Sequence, residues 1–271
     1  MSKIKSTFES LISANRAALV PFITAGDPDP TQTVAIMHGL VEGGADIIEL
    51  GVPFSDPMAD GPVIQHASER ALKHNISLND VLNYVEEFRK DNQTTPVVLM
   101  GYCNPIETLG YEKTAKRAAE VGVDGFLTVD LPPEESKIFN DKLRDNAIDP
   151  IFLVAPTSTT ARIKGIANSA SGFIYYVSLK GVTGSQKAVA TDLEEKLSSI
   201  REHTDLPVGV GFGIRDAESA ARVAKLSDAV VVGSALVSRL ADLSEQPEKL
   251  SEAAREFMAE LRTAIDKARE S

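Results

Sequence analysis

Residues 45–62 read ADIIELGVPFSDPMADGP. The run opens apolar and β-branched, as a strand buried on both faces requires, and carries one carboxylate, Glu49, near its end. At Gly51-Val52-Pro53 it turns into a loop rich in Pro and Asp that holds Asp56 and Asp60. Upstream, ALVPFITAG at 18–26 is a second such strand, ending in a Gly-Asp-Pro turn. Between the two, Val34, Met37, Leu40 and Val41 recur at helical spacing, and Gly43-Gly44 stops the helix. Strand, helix, strand is a βαβ unit, and the rest of the chain repeats it.

Downstream, the spacing predicts helices over 62–74 and 78–91, a strand over 96–102, a helix over 111–121 and a strand over 124–131. A helix over 133–146, a strand over 150–155, a helix over 159–170 and a strand over 172–178 follow. The series ends with helix 192–203, strand 206–213, helix 216–225, strand 228–236 and two closing helices over 234–241 and 247–268. A short helix from Lys3 to Ala14 precedes the first strand, with Phe8, Leu11 and Ile12 on one face. Eight such units predict an α/β fold, a single (β/α)8 TIM barrel domain spanning 1–271. It would have an extra N-terminal helix and additional helices in the βα loops, and its closure would remove the edges that an open doubly wound sheet leaves.

With 271 residues and 43% hydrophobic content the chain can bury one sizeable core. A net charge of −11 repels nucleic-acid phosphates and anionic membrane surfaces. One cysteine, Cys103, excludes an internal disulfide framework and fits a reducing compartment. The first twenty residues lack the apolar centre of a signal peptide, and no run approaches the roughly 18 apolar residues of a membrane span. A cytoplasmic protein, without nucleic-acid or membrane partners, is expected.

In such a barrel the active site lies at the C-terminal ends of the strands. A carboxylate near a buried strand end needs a polar cavity or a partner, so Glu49 is a candidate acid/base, with Asp60 in the following loop as its companion. The same two residues suit structural duties, Glu49 closing a core ion pair and Asp60 capping the helix that starts near Val63. Other strand ends, Phe22 and Thr24, Met100-Gly101-Tyr102, Leu127 to Asp130 and Tyr175 to Ser178, are mostly apolar or aromatic and suit a flat apolar substrate. Strands seven and eight end in Gly211-Phe212-Gly213 and Gly233-Ser234 just before helices, where barrels of this type recurrently bind phosphate. The loop LKGVTGSQKAVATD at 179–192 exceeds the usual two to six residues and reads as a lid, with Thr183 and Gly184 as contacts. Lys180, as a Schiff-base lysine, would make an imine aldolase, but alternation sets it opposite to Tyr175. No His, Cys and Asp residues show metal-ligand spacing, so no metal is expected.

The chain resembles the tryptophan synthase α subunits through PFITAGDPDP at 21–30, ELGVPFSDPMADGP, the Tyr-x-Asn-Pro of 102–105, DLPPEE at 130–135, GFIYYVS, GVTG at 181–184, GFGI at 211–214 and VVGSALV at 231–237, in that family's order. The resemblance implies a barrel that cleaves indole-3-glycerol phosphate to indole and glyceraldehyde 3-phosphate, a carbon–carbon lyase of tryptophan biosynthesis. It implies Glu49 as general acid/base and Asp60 as its partner. Phe22, Met100, Leu127, Tyr175 and Phe212 would line the indole pocket, and Thr183, Gly184, Gly213, Gly233 and Ser234 would serve the lid and the phosphate. Met100 stands where many members carry leucine, and Leu179-Lys180 where arginine is common. No cofactor is implied in this chain; pyridoxal phosphate would belong to a partner β subunit in an α2β2 assembly, and Asp56 to Met58 and Asp130 to Pro133 would form part of its docking surface. Other phosphosugar barrels and a non-catalytic scaffold subunit are the alternatives, and indole release separates all three.

Overall fold

The computed structural model describes residues 2–177, 186–211 and 213–270, with side chains from 191 onward in the helix that opens the second segment. Eight strands run β1 (Ala18–Thr24), β2 (Ile48–Gly51), β3 (Val97–Gly101), β4 (Gly125–Thr128), β5 (Asp149–Val154), β6 (Ile174–Val177), β7 (Val208–Gly211) and β8 (Ala229–Val232). Each pairs in parallel with the next, and β8 closes on β1 from Ala18↔Ala229 to Pro21↔Val232. Around them lie α1 (Lys3–Ser13), α2 (Thr33–Glu42), α3 (Pro62–Leu72), α4 (Leu78–Asp91), α5 (Cys103–Leu109) and α6 (Tyr111–Val121). Then follow α7 (Lys137–Asp145), α8 (Thr160–Ser169), α9 (Gln186–Arg201), α10 (Ala217–Ala224), α11 (Ser234–Ala241) and α12 (Leu250–Glu270). The extra helices α3 and α11 stand in βα loops, as expected, and α5 stands in a third. Among the described residues no helix is long and apolar enough to cross a membrane.

Alternation along each strand separates two apolar layers. Leu19, Ile48, Leu50, Val97, Leu99 and Val230 face outward, in one cluster with Ile36, Met37 and Leu40 of α2. Val20, Ile47, Val98, Leu127, Phe173 and Val231 fill the barrel, and Ile4, Phe8 and Leu11 of α1 join this inner cluster. The Phe8 and Phe173 rings lie 5.7 Å apart, so α1 plugs the end opposite the strand C-termini. That leaves the C-terminal mouth as the open end.

Buried ion pairs hold the strand starts. Asp46, just ahead of β2, accepts the Leu19 N–H at 2.8 Å and an Arg262 Nη1 hydrogen bond from α12 at 2.9 Å. Asp124, ahead of β4, accepts from the Val97 N–H at 2.9 Å and from Arg89 Nη2 at 2.7 Å. α12 lies close on α2: a Cβ at Gly39 would come within 2.3 Å of the Ser251 carbonyl, and one at Gly43 within 2.4 Å of the Arg255 carbonyl.

Four expectations change. The stretch 103–109 holds a helix that the periodicity did not suggest, with Pro105 in its first turn, where a missing N–H does no harm. α7 starts at Lys137 rather than 133, because the Glu135 and Ser136 N–H groups both turn back to the Pro132 carbonyl at 3.0 Å. α9 starts at Gln186, so the second half of the stretch read as a lid, 179–192, is helical. The apolar run 228–236 divides at Gly233 into β8 and the first turn of α11.

Candidate active site

Glu49 lies in β2 beside Phe22 of β1 and Val98 of β3. Ile48 and Leu50 pack outward and Ile47 inward, so the pleat turns Glu49 into the barrel. Its residue is 1% exposed, and among the described residues neither carboxylate oxygen has a hydrogen-bond partner. The core ion pair that would make it structural is therefore not found among the described residues. Burial disfavours its charged form and the negative charge of Asp60 adds to this, raising its pKa from 4.5 to about 8.

Asp60 sits in a loop that folds back on itself: its N–H bonds the Pro57 carbonyl at 3.0 Å and its own carbonyl accepts from Gln65 Nε2 at 2.9 Å. α3 begins after Gly61 with no side-chain cap, so Asp60 does not serve that helix. Its carboxylate instead accepts the Tyr102 hydroxyl at 2.9 Å, and that hydroxyl in turn accepts the Ala59 N–H at 3.1 Å. Burial raises the Asp60 pKa while the Tyr102 hydrogen bond opposes it. Two carboxylates thus share one site in unlike environments, one with a donor and one with none among the described residues, the arrangement that separates acid and base roles.

Rings wall the site where glycines let them approach. A Cβ at Gly51 would come 2.5 Å from Phe22 Cζ, and one at Gly211 would come 2.4 Å from the Tyr175 hydroxyl. Leu127 is buried in the inner cluster, with Met100 and Tyr175 packed against it. Phe22, Thr24, Asp60, Ile64, Met100 and Tyr102 line one cleft. Burial, then the charges of Glu49 and Asp60, hold the Tyr175 phenol well above its ordinary pKa, so it stays neutral.

The mouth continues to the loops after β7 and β8. Ser234 opens α11, whose start has no side-chain cap among the described residues, and the first-turn N–H groups of a helix start suit an anion. A Cβ on Gly233 would lie 3.5 Å from Phe22 Cβ, so this helix start adjoins the ring wall. Gly213 has φ +74° in the loop after β7, and a Cβ there would meet nothing within 4 Å. Thr183, Gly184, Phe212 and Lys180 lie outside the described residues. Cys103 makes a poor nucleophile: burial pushes its thiol pKa up, and its Sγ lies 3.5 Å from the Tyr111 hydroxyl.

Two residues that the sequence reading placed only as strand ends of the mouth, without a role of their own, belong to the site. Tyr102 is the Asp60 donor, and its signal was its place at the end of β3, where a hydroxyl reaches the neighbouring strand's loop. The Thr24 hydroxyl is buried without a partner among the described residues at the end of β1; only its strand-end position marks it.

The sequence model of the family described as tryptophan synthase alpha chain matches residues 8–266. The tryptophan synthase alpha chain of Thioalkalivibrio sulfidiphilus is 60% identical over 266 residues, 98% of this chain and 100% of that protein. That of Methylococcus capsulatus is 54% identical over the same shares. Among solved structures, tryptophan synthase subunit alpha from Legionella pneumophila superposes with a TM-score of 0.92 at 44% identity, covering 98% of this chain and 99% of that one. A chain of Mycobacterium tuberculosis tryptophan synthase superposes at 0.86 with 37% identity, covering 97% and 98%.

Proposed function

The chain belongs to the tryptophan synthase alpha chain family, and from that premise we propose that Glu49 and Asp60 carry the chemistry of the family's reaction. That reaction is a carbon–carbon lyase half-reaction of tryptophan biosynthesis, the cleavage of indole-3-glycerol phosphate to indole and glyceraldehyde 3-phosphate, and this chain catalyses it. The observation that carries the residue assignment is Glu49, buried inside the barrel with a pKa raised to about 8 and no partner among the described residues.

Cleavage needs a proton on the indole ring carbon that bears the glycerol chain, and loss of one from the adjacent hydroxyl. Protonated Glu49 supplies the first. The ring becomes an indolenine cation whose nitrogen carries the positive charge, and anionic Asp60 stabilises it there. The Glu49 carboxylate then removes the hydroxyl proton, the carbon–carbon bond electrons flow into the ring, and the aldehyde forms. Glu49 ends protonated, as it began. The protonated ring is the electron sink, so this sequence of steps needs no cofactor in this chain.

Phe22, Met100, Leu127, Tyr175 and Phe212 hold the ring in this reading, while Gly213, Gly233 and Ser234, with Thr183 and Gly184, hold the phosphate and the lid. Amide donors at a helix start bind an anion without a basic surface, which fits a net charge of −11. The partner is the pyridoxal-phosphate β subunit in an α2β2 cytoplasmic assembly. It docks on the rim of the mouth: Met58 is 80% exposed there, and a cavity of about 360 Å³ is lined by Phe54, Ser77, Asn104 and Leu109, among others. Glu49→Gln is expected to lose at least about 10²-fold of the indole-release rate with purified substrate, the low end for a general acid/base, while still folding. Turnover within a few-fold of wild type would overturn the assignment.

A further inference from the structure

Asp60 is the less buried of the two carboxylates, and it sits on a loop rather than in a strand. Among the described residues, the Tyr102 hydroxyl, at 2.9 Å, is the hydrogen-bond donor that its carboxylate has. The same hydroxyl accepts the Ala59 N–H at 3.1 Å, so it grips the loop at two consecutive residues. The tyrosine itself is held on both sides. Its ring stacks on Phe54 at 5.1 Å with the planes 27° apart, and the residue is 4% exposed. Next along the chain, the Cys103 N–H at the start of α5 donates to Asp130 Oδ1 at 2.7 Å, across from the loop after β4. Three neighbouring βα loops are therefore joined at two consecutive residues, through the Tyr102 hydroxyl and the Cys103 N–H.

We propose that Tyr102 is a positioning residue for the reaction, its hydroxyl fixing the Asp60 carboxylate while the N–H of its neighbour Cys103 anchors this stretch to Asp130. The inference rests on the assignment of Asp60 above. A carboxylate on a Pro- and Gly-bearing loop has several rotamers, and orienting it toward the ring nitrogen requires a donor that is itself immobile. Stacking on Phe54 and the Asp130 contact supply that immobility. The hydrogen bond also favours the ionised form, the form that stabilises a cationic ring.

The test compares Tyr102→Phe, Asp60→Asn and the double variant in the full-length protein, with indole release measured against pH and thermal melting as the check on folding. Tyr102→Phe keeps the ring and its stacking. It is expected to lower kcat about tenfold, the worth of a hydrogen bond to a charged group, with KM changed by less than about twofold. Its kcat is expected to fall at higher pH than in the wild type on the acid side, because Asp60 protonates more easily without its donor. The double variant is expected to be no slower than Asp60→Asn alone. An unchanged kcat and acid limb in Tyr102→Phe, or losses that multiply in the double variant, would overturn the proposal. Wild-type turnover in Asp60→Asn would instead defeat the Asp60 assignment. Asp130→Ala, which leaves the hydroxyl in place, is expected to move kcat and the acid limb in the same direction by a smaller factor. It decides the matter if Tyr102→Phe does not fold, since wild-type behaviour there would overturn the tie.

Discussion

Glu49, the proposed acid/base, would couple the chemistry to the stability of the fold. Its pKa is 4.5 in an ordinary setting and about 8 in the barrel, so between these values the folded protein holds a proton that the unfolded chain releases. Stability therefore falls as pH rises through that window, by on the order of 5 kcal/mol from one side to the other. Glutamine at this position has the same shape and cannot ionise. Glu49→Gln is expected to be more resistant to urea than the wild type at pH 9, by a few kcal/mol, and about equal to it at pH 5. Equal unfolding midpoints at pH 9 would mean that Glu49 ionises normally inside the barrel. The same substitution is expected to cost at least about 10²-fold of turnover, so one residue would show stability given up for function.

At the scale of elements, the start of α11 is the feature with the clearest ligand chemistry. Its first turn carries no side-chain cap among the described residues, and Gly233 places it against Phe22, where the proposed ring pocket and the proposed anion site would meet. Ser234→Leu is expected to weaken phosphate-bearing ligands about tenfold or more, the scale of charge-assisted hydrogen bonds, while free indole binding stays nearly unchanged. Titration calorimetry with glycerol phosphate and with indole checks this, and equal losses for both would point to damage to the barrel instead. Ser234 is a cleaner probe than Gly213, where φ +74° strains any side chain regardless of the space around it. Helices differ in how openly they announce themselves. α4 was legible because Ser77 and Asp80 form a capping box ahead of an amphipathic run. α5, seven residues long with one buried position, Ile106, has too little periodicity to read.

For the whole molecule, the rim loops join the carboxylate site to the surface where the β subunit is proposed to dock. Asp60 shares its loop with Asp56 and the exposed Met58, and it is held by the Tyr102 hydroxyl while the adjacent Cys103 N–H holds Asp130, in the segment that carries Pro132 and Pro133. Docking there is expected to change the cleavage rate by at least about fivefold, the lower end of coupling between sites, and Pro132→Gly to reduce that factor by loosening a stiff rim segment. Rates measured with and without the β subunit, at concentrations where the complex is shown to form, check both. A wild-type rate indifferent to the partner would sink the coupling.

The architecture was written in local pattern. Runs such as PVVLMGY and GFIYYVS, each followed by an amphipathic stretch, name a parallel strand and its covering helix, and eight of them close a barrel. A carboxylate placed late in such a run, Glu49, stands out because burial penalises charge wherever the strand goes. Pattern along the chain cannot say which side chains meet across it. Tyr102 and Asp60 are 42 positions apart and Cys103 and Asp130 are 27 apart, so their hydrogen bonds exist only because barrel closure sets neighbouring loops side by side. Phe22 over Gly51 and Tyr175 over Gly211 depend likewise on register between strands. The chain by itself determined the barrel and the candidate acid; the closed barrel decided that Glu49 has no partner among the described residues and that Asp60 has a donor, because burial and orientation are properties of the surroundings and not of the residue.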